Sequence, residues 1–139
     1  MAYCTRDNLV QRFGATEIDD LLDRDNNSSD DTDTLAQTIA DADALIDGYV
    51  SSQYAAPLSP VPQIIRYLSC DITRFMLWDD SAPDEVRQRY NDAIARLKDI
   101  SKGIMTLPDS TPKPENNPSG GVDYVAKKRV FTRESLCGF

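Results

Sequence analysis

The sequence predicts an all-α protein: a compact bundle of four or five helices followed by an extended C-terminal arm. Three observations carry this. Apolar residues recur at three- and four-residue spacings through most of the first hundred positions. Prolines and polar runs cut the chain into pieces of helical length. A chain of 139 residues, 40% of them hydrophobic, suffices for one domain with a modest core.

Taken in order, the first helix is capped by Thr5, carries Asp7 in its opening turn and turns Leu9, Val10 and Phe13 inward, with Gly14 as its left-handed C-terminal residue. A second short helix follows, capped by Thr16, with Ile18, Leu21 and Leu22 apolar. A polar run from Asp23 to Asp33 ends it. The third helix, capped by Asp31 or Asp33, shows the clearest stripe: Leu35, Ile39, Ala42, Ile46 and Tyr49. It is expected to run to about Tyr54, where Pro57, Pro60 and Pro62 force an extended connection. The fourth helix opens after Pro62 and continues to Trp78. It is apolar around much of its circumference, which places it at the bundle centre. Asp79 to Pro83 break it, with Pro83 suited to the first turn of a fifth helix whose stripe is Val86, Tyr90, Ala93 or Ile94, Leu97 and Ile100 or Ile104, ending near Gly103. The expected core includes Leu35, Ile39, Ile46, Leu68, Ile72, Phe75, Tyr90 and Leu97.

The character then changes. Residues 107–121 contain Pro108, Pro112, Pro114 and Pro118 among Asn, Ser, Lys and Glu, and have no evident means of burying themselves. The chain thus divides into a helical domain at 1–105, a Pro-rich linker at 106–121 and a docking arm at 122–139. The arm is apolar and partly β-prone: Val122, Tyr124, Val125, Val130, Phe131, Leu136 and Phe139, with Arg129 and Arg133 between them. With no core of its own, such a segment is expected to add to a partner's surface.

Composition excludes several function classes. There is no histidine, so neither a Ser-His-Asp nor a Cys-His mechanism can be built from this chain alone. Gly120-Gly121 lies in a Pro/Ser/Asn-rich stretch and opens no helix, so it is no phosphate loop. No cofactor and no metal are expected, and a metal-dependent hydrolase is the weakest reading. Cys4, Cys70 and Cys137 are far apart in sequence, without metal-ligand spacing, and read as free thiols in a reducing compartment. No apolar run approaches the roughly 20 residues that span a bilayer. The N-terminus lacks a signal peptide's apolar core, so synthesis in the cytoplasm is expected.

The formal charge is −8. Residues 104–139 hold five cations (Lys113, Lys127, Lys128, Arg129, Arg133) against four anions (Asp109, Glu115, Asp123, Glu134), a net +1 that leaves −9 on residues 1–103. An acidic body repels nucleic-acid phosphates.

Four further features can be read from the residues. Asp23 to Thr34 begins like a calcium loop, but Ser28 replaces the turn glycine and Thr34 the bidentate glutamate, so it reads as a solvated interhelical loop. The carboxylate pairs Asp19-Asp20, Asp30-Asp31 and Asp79-Asp80 read as helix-end partners rather than catalytic pairs. Tyr67, Phe75, Met76 and Trp78 read as core or as buried between subunits. The triplet Lys127-Lys128-Arg129 can meet a partner's carboxylates, water or DNA, and its apolar flanks favour a protein groove.

Four segments together resemble a known family. They are Tyr3 to Leu22 (YCTRDNLVQRFGATEIDDLL), Ile39 to Tyr54 (IADADALIDGYVSSQY) with the proline connection AAPLSPVP, Trp78 to Ala93 (WDDSAPDEVRQRYNDA), and Arg129 to Phe139 (RVFTRESLCGF). In this order they resemble the head-tail connector (adaptor) family of Mu-like phages and prophages, with residues 107–121 matching least. The resemblance implies a structural protein of the virion neck, assembled in the host cytoplasm. There it would form a homo-oligomeric ring, usually twelve-fold, between the portal protein and the tail-completion or tail-terminator proteins. DNA would pass through the bore without sequence-specific binding. The resemblance also implies that the arm reaches the portal, and it brings no catalytic residue. The alternative from another class is a small acidic helical binding or regulatory module without enzymatic activity.

Overall fold

The structure is a computed structural model that describes residues 2–23 and 31–114. Five helices make up its regular structure: α1 (Arg6–Phe13), α2 (Ala15–Leu22), α3 (Asp31–Val50), α4 (Gln63–Trp78) and α5 (Asp84–Ser101). No strand occurs among the described residues, and no helix there is long and apolar enough to cross a membrane. The all-α expectation holds. The interhelical loop at 24–30, residues 115–121 of the expected linker and the whole arm at 122–139, including the basic triplet and Cys137, lie outside the described residues.

Local chemistry explains each boundary. Thr5 caps α1 through a reciprocal box: its hydroxyl accepts the Asn8 N–H at 3.4 Å, and Asn8 Oδ1 accepts the Thr5 N–H at 3.1 Å. Thr16 is not the cap of α2. Gly14 adopts φ +97°, ψ 148°, a region essentially reserved for glycine, and so ends α1 and starts α2 within one residue. That places Thr16 inside the first turn.

α3 stops at Val50 rather than running to Tyr54. Ser51 Oγ bonds the Gly48 carbonyl at 3.2 Å and Ser52 Oγ the Tyr49 carbonyl at 3.0 Å, offering the backbone an alternative to further helix. Asp33 lies inside α3, not at its cap. Pro83 stands just before α5, at its N-cap rather than in its first turn, and accepts the Arg87 N–H at 3.0 Å. At the other end Gly103, at φ +74°, closes a Schellman motif: Ile104 N–H bonds Asp99 O at 2.9 Å and Gly103 N–H bonds Ile100 O at 3.0 Å.

α4 is the central helix and touches α1, α2, α3 and α5. Ile65, Leu68, Cys70, Ile72 and Leu77 are buried along it. The core has two lobes. The larger packs Ile46, Val50, Ile65, Leu68, Ile72, Leu97 and Ile100 between α3, α4 and α5. The smaller packs Leu9, Ile18, Leu21, Leu35, Ile39 and Leu77 where α1 and α2 meet the start of α3 and the end of α4. Phe75 and Tyr90 are half-buried rather than fully buried: they stack on each other with ring centroids 4.1 Å apart, and Tyr90 packs against the larger lobe. On α5 the buried members are Val86, Ala93, Leu97 and Ile100, whereas Ile104 is exposed.

The segment beyond α5 is tied down more firmly than its composition suggests. Leu107 is buried, and its N–H bonds the Tyr54 hydroxyl at 2.9 Å. Tyr54 and Pro112 form an isolated antiparallel bridge, and Lys113 N–H bonds Gln53 O at 2.8 Å. Residues 107–114 therefore return to the end of α3, where the proline content predicted a free tether.

Candidate interaction surfaces

Charge is sorted by helix. α2 carries Glu17, Asp19 and Asp20, and α3 carries Asp31, Asp33, Asp41, Asp43 and Asp47, with no lysine or arginine on either. Every arginine among the described residues belongs to α1, α4 or α5. No α3 carboxylate is ion-paired among the described residues. Asp43 is instead held by hydrogen bonds from the Tyr3 N–H at 3.0 Å and the Ser69 hydroxyl at 3.2 Å, and Asp47 by the Tyr3 hydroxyl. Burial pushes the Asp43 carboxyl up, against those two bonds.

The arginines form a row flanking α4. Arg12 stacks over Tyr67 at 4.4 Å and reaches Asp71 at 3.6 Å. Arg89 stands 4.0 Å from the same carboxylate and 3.3 Å from Glu85. Burial raises the Asp71 carboxyl more than Arg12, Arg89 and the neighbouring arginines lower it. Arg74 stacks over Phe13 at 4.4 Å and grips Glu17 with both arms, Nε at 2.7 Å and Nη2 at 3.0 Å, while the Trp78 indole donates to the same carboxylate at 3.2 Å. Such a bidentate pair is both stronger and more directional than a point contact.

Burial alone would raise the Glu17 carboxyl, but its bonds from Arg74 and Trp78 outweigh burial and hold it below the ordinary range. A carboxylate whose folded value is depressed contributes stability above its unfolded value of about 4.3, lost as pH falls through the folded value. Glu17→Gln is therefore expected to lower stability at pH 7, with the gap to wild type closing as pH drops below about 4. Urea midpoints measured from pH 7 to pH 3 check this; a gap independent of pH contradicts it.

Hollows open on these faces, one of them of about 290 Å³ between Arg12, Asp71, Arg89 and Arg96. Another, of about 310 Å³, is lined by Asn8, Gln11, Arg12, Gln63, Arg66, Tyr67 and Cys70. A third, of about 810 Å³, lies against Phe13, Thr16, Glu17, Asp20, Leu21 and Trp78. Of the four residues expected in the core or between subunits, Tyr67 is exposed at 45%, whereas Phe75, Met76 and Trp78 are half-buried, Met76 packing against the larger lobe and Trp78 against the smaller. Asp79-Asp80 sits in a 3-10 turn after α4, exposed. Among the described residues no group of three or more His, Cys, Asp or Glu side chains is placed to hold a metal ion.

Sequence reasoning missed Tyr3 and Tyr54. Each buried ring sends its hydroxyl to a loop N–H, Leu58 at 2.9 Å and Leu107 at 2.9 Å, and neither sits on a periodic stripe that would single it out. It also missed the meeting of Cys4 and Cys70, whose sulfurs stand 3.1 Å apart although 66 positions separate them.

Comparison with known proteins agrees along nearly the whole chain. The family described as Bacteriophage Mu, Gp36 matches residues 3–126. The chain is 29% identical over 141 residues, covering 99% of it and 97% of the relative, to the Mu-like prophage FluMu protein gp36 of Haemophilus influenzae. It is 28% identical over 137 residues, 96% of each chain, to gene product J of Escherichia phage Mu. The chain therefore belongs to the bacteriophage Mu Gp36 family and is a Mu-like phage protein.

Proposed function

We propose that the protein is a structural head-to-tail adaptor: a homo-oligomeric ring between the portal and the tail-completion or tail-terminator proteins that keeps the DNA channel continuous. The observation that carries this reading is the sorting of charge: α2 and α3 carry acidic but no basic side chains, and among the described residues every arginine lies on α1, α4 or α5. A chain whose acidic helices α2 and α3 stand apart from its arginines is suited to a heterologous contact, in which the acidic face of each copy meets arginines of the next. Such contacts close into a ring when the rotation allows it. Acidic side chains left towards the bore would let DNA slide without sticking. The arm at 122–139, apolar with Arg129 and Arg133, serves as the dock to the portal, with Phe131, Leu136 and Phe139 as anchors.

Light scattering coupled to size-exclusion chromatography, with and without portal, tests both parts. The full chain is expected to form a ring-sized oligomer, alone or on portal, that dissociates as salt rises from about 0.1 to 1 M, where the screening length falls from about 10 to 3 Å. Deleting residues 122–139 is expected to leave a soluble helical domain that no longer binds portal. A protein that stays monomeric with portal present, or a truncation that binds portal unchanged, would refute the corresponding part.

A further inference from the structure

Cys4 lies in the short segment ahead of α1 and Cys70 in the middle of α4, and both side chains are buried. Their sulfurs are 3.1 Å apart, and Cys4 Sγ also lies 3.5 Å from the Thr5 carbonyl. To bond, the sulfurs must close by about 1 Å, to a separation of about 2.05 Å. Of the two, Cys70 borders a hollow among the described residues. Cys70 forms part of the wall of the 310 Å³ hollow, whose other lining includes Arg12, Arg66, Gln11 and Gln63; Cys4 does not. Arg66 and Arg12 place positive charge on its wall, Arg12 being shared with Asp71 at 3.6 Å, and so favour an anionic over a cationic visitor.

We propose that Cys4 and Cys70 are a redox modification site, closed to an intramolecular disulfide by a small anionic disulfide that enters the arginine-lined hollow beside Cys70. The Cys70 thiolate attacks one sulfur of the entering disulfide, RSSR, forming a mixed disulfide and releasing RS⁻. The Cys4 thiol, giving up its proton, then attacks Cys70 Sγ and releases the second RS⁻. The two expelled thiolates take up the two protein protons. The balance is two protein thiols plus RSSR to one protein disulfide plus two RSH. The roles follow from position, since Cys70 is the sulfur on the hollow and Cys4 the resolving thiol behind it. Their acidities agree: the bond to Cys70 and burial push the Cys4 thiol up, while the bond from Cys4 and the charge of Arg12 bring Cys70 down. The product joins positions 66 apart and fastens the N-terminal segment to the central helix. In a reducing compartment the pair stays open, and outside one it closes.

The test uses the full chain carrying Cys137→Ser, so that only these two thiols remain. Incubated with glutathione disulfide, the protein is expected to lose the mass of two hydrogen atoms, to give a 4–70 cross-linked peptide on non-reducing digestion, and to melt about 10 °C higher than its reduced form. Cys4→Ser, or Cys4→Ala if the serine variant loses its helical spectrum, is expected to stop at one glutathionyl group on Cys70. Cationic cystamine is expected to react at least several-fold more slowly than glutathione disulfide. Persistence of both thiols under either oxidant overturns the site. Glutathionylation of Cys4 in a Cys70→Ser variant, or equal rates with the two oxidants, overturns the entry route through the hollow.

Discussion

Ile72→Ala is expected to cost about 2–5 kcal/mol of unfolding free energy, and Leu68→Ala a similar amount. Ile72 is wholly buried and Leu68 is 1% exposed, and both point from α4 into the lobe shared with α3 and α5. Removing three carbons there forfeits their transfer from water. It also leaves a void the surroundings fill only in part, because this side of α4 is packed against α3 and α5. Phe75→Ala provides the contrast. Phe75 is the larger side chain, but it is half-buried and leans mainly on Tyr90, so a loss of about 1–2 kcal/mol is expected. Urea unfolding of the three variants checks the order. A loss below about 0.5 kcal/mol for Ile72→Ala would contradict its place at the centre.

Tyr3→Ala is expected to be at least as damaging, about 3–5 kcal/mol, although Tyr3 belongs to no helix. Its ring is 2% exposed in the larger lobe. Its hydroxyl donates to Asp47 on α3 and accepts the Leu58 N–H of the proline connection, and its backbone N–H reaches Asp43. Burial and the neighbouring carboxylates hold the phenol well above its ordinary value, so it remains a donor across the whole working pH range. Tyr3→Phe separates ring from hydroxyl. It keeps the apolar surface but strands a buried N–H and a carboxylate, at an expected cost of about 1–3 kcal/mol. Equal stability of Tyr3→Phe and wild type would show that the hydroxyl bonds contribute nothing net.

The helices were legible because each is punctuated by its own chemistry. Pro62 opens α4, Thr5 caps α1 and Gly103 closes α5, all effects confined to a few neighbouring residues. What pattern reading missed is non-local. Nothing near Leu107 announces that a tyrosine hydroxyl 53 positions earlier will take its N–H, so proline content alone suggested a tether. Phe75 and Tyr90 fit helical stripes, but a stripe gives only direction, and depth depends on which neighbour covers it. The candidate surfaces divide in the same way. The overall acidity was plain from composition. The segregation of arginines around α4 became visible only once α1 and α5 were seen to flank that helix.

The return of residues 107–114 to the end of α3 has a mechanical consequence. Any tension borne by the chain beyond Pro114 does not fall directly on α5. It meets first the bond from Lys113 to Gln53, then the 3.4 Å bond from Ala55 to Thr111, and only afterwards Leu107 beneath Tyr54. The first two lie in an antiparallel bridge next to the turn that ends α3. The segment thus acts as a strain relief: a pull from beyond Pro114 is taken up first at the turn after α3, through bonds that must part before it reaches Leu107 and α5.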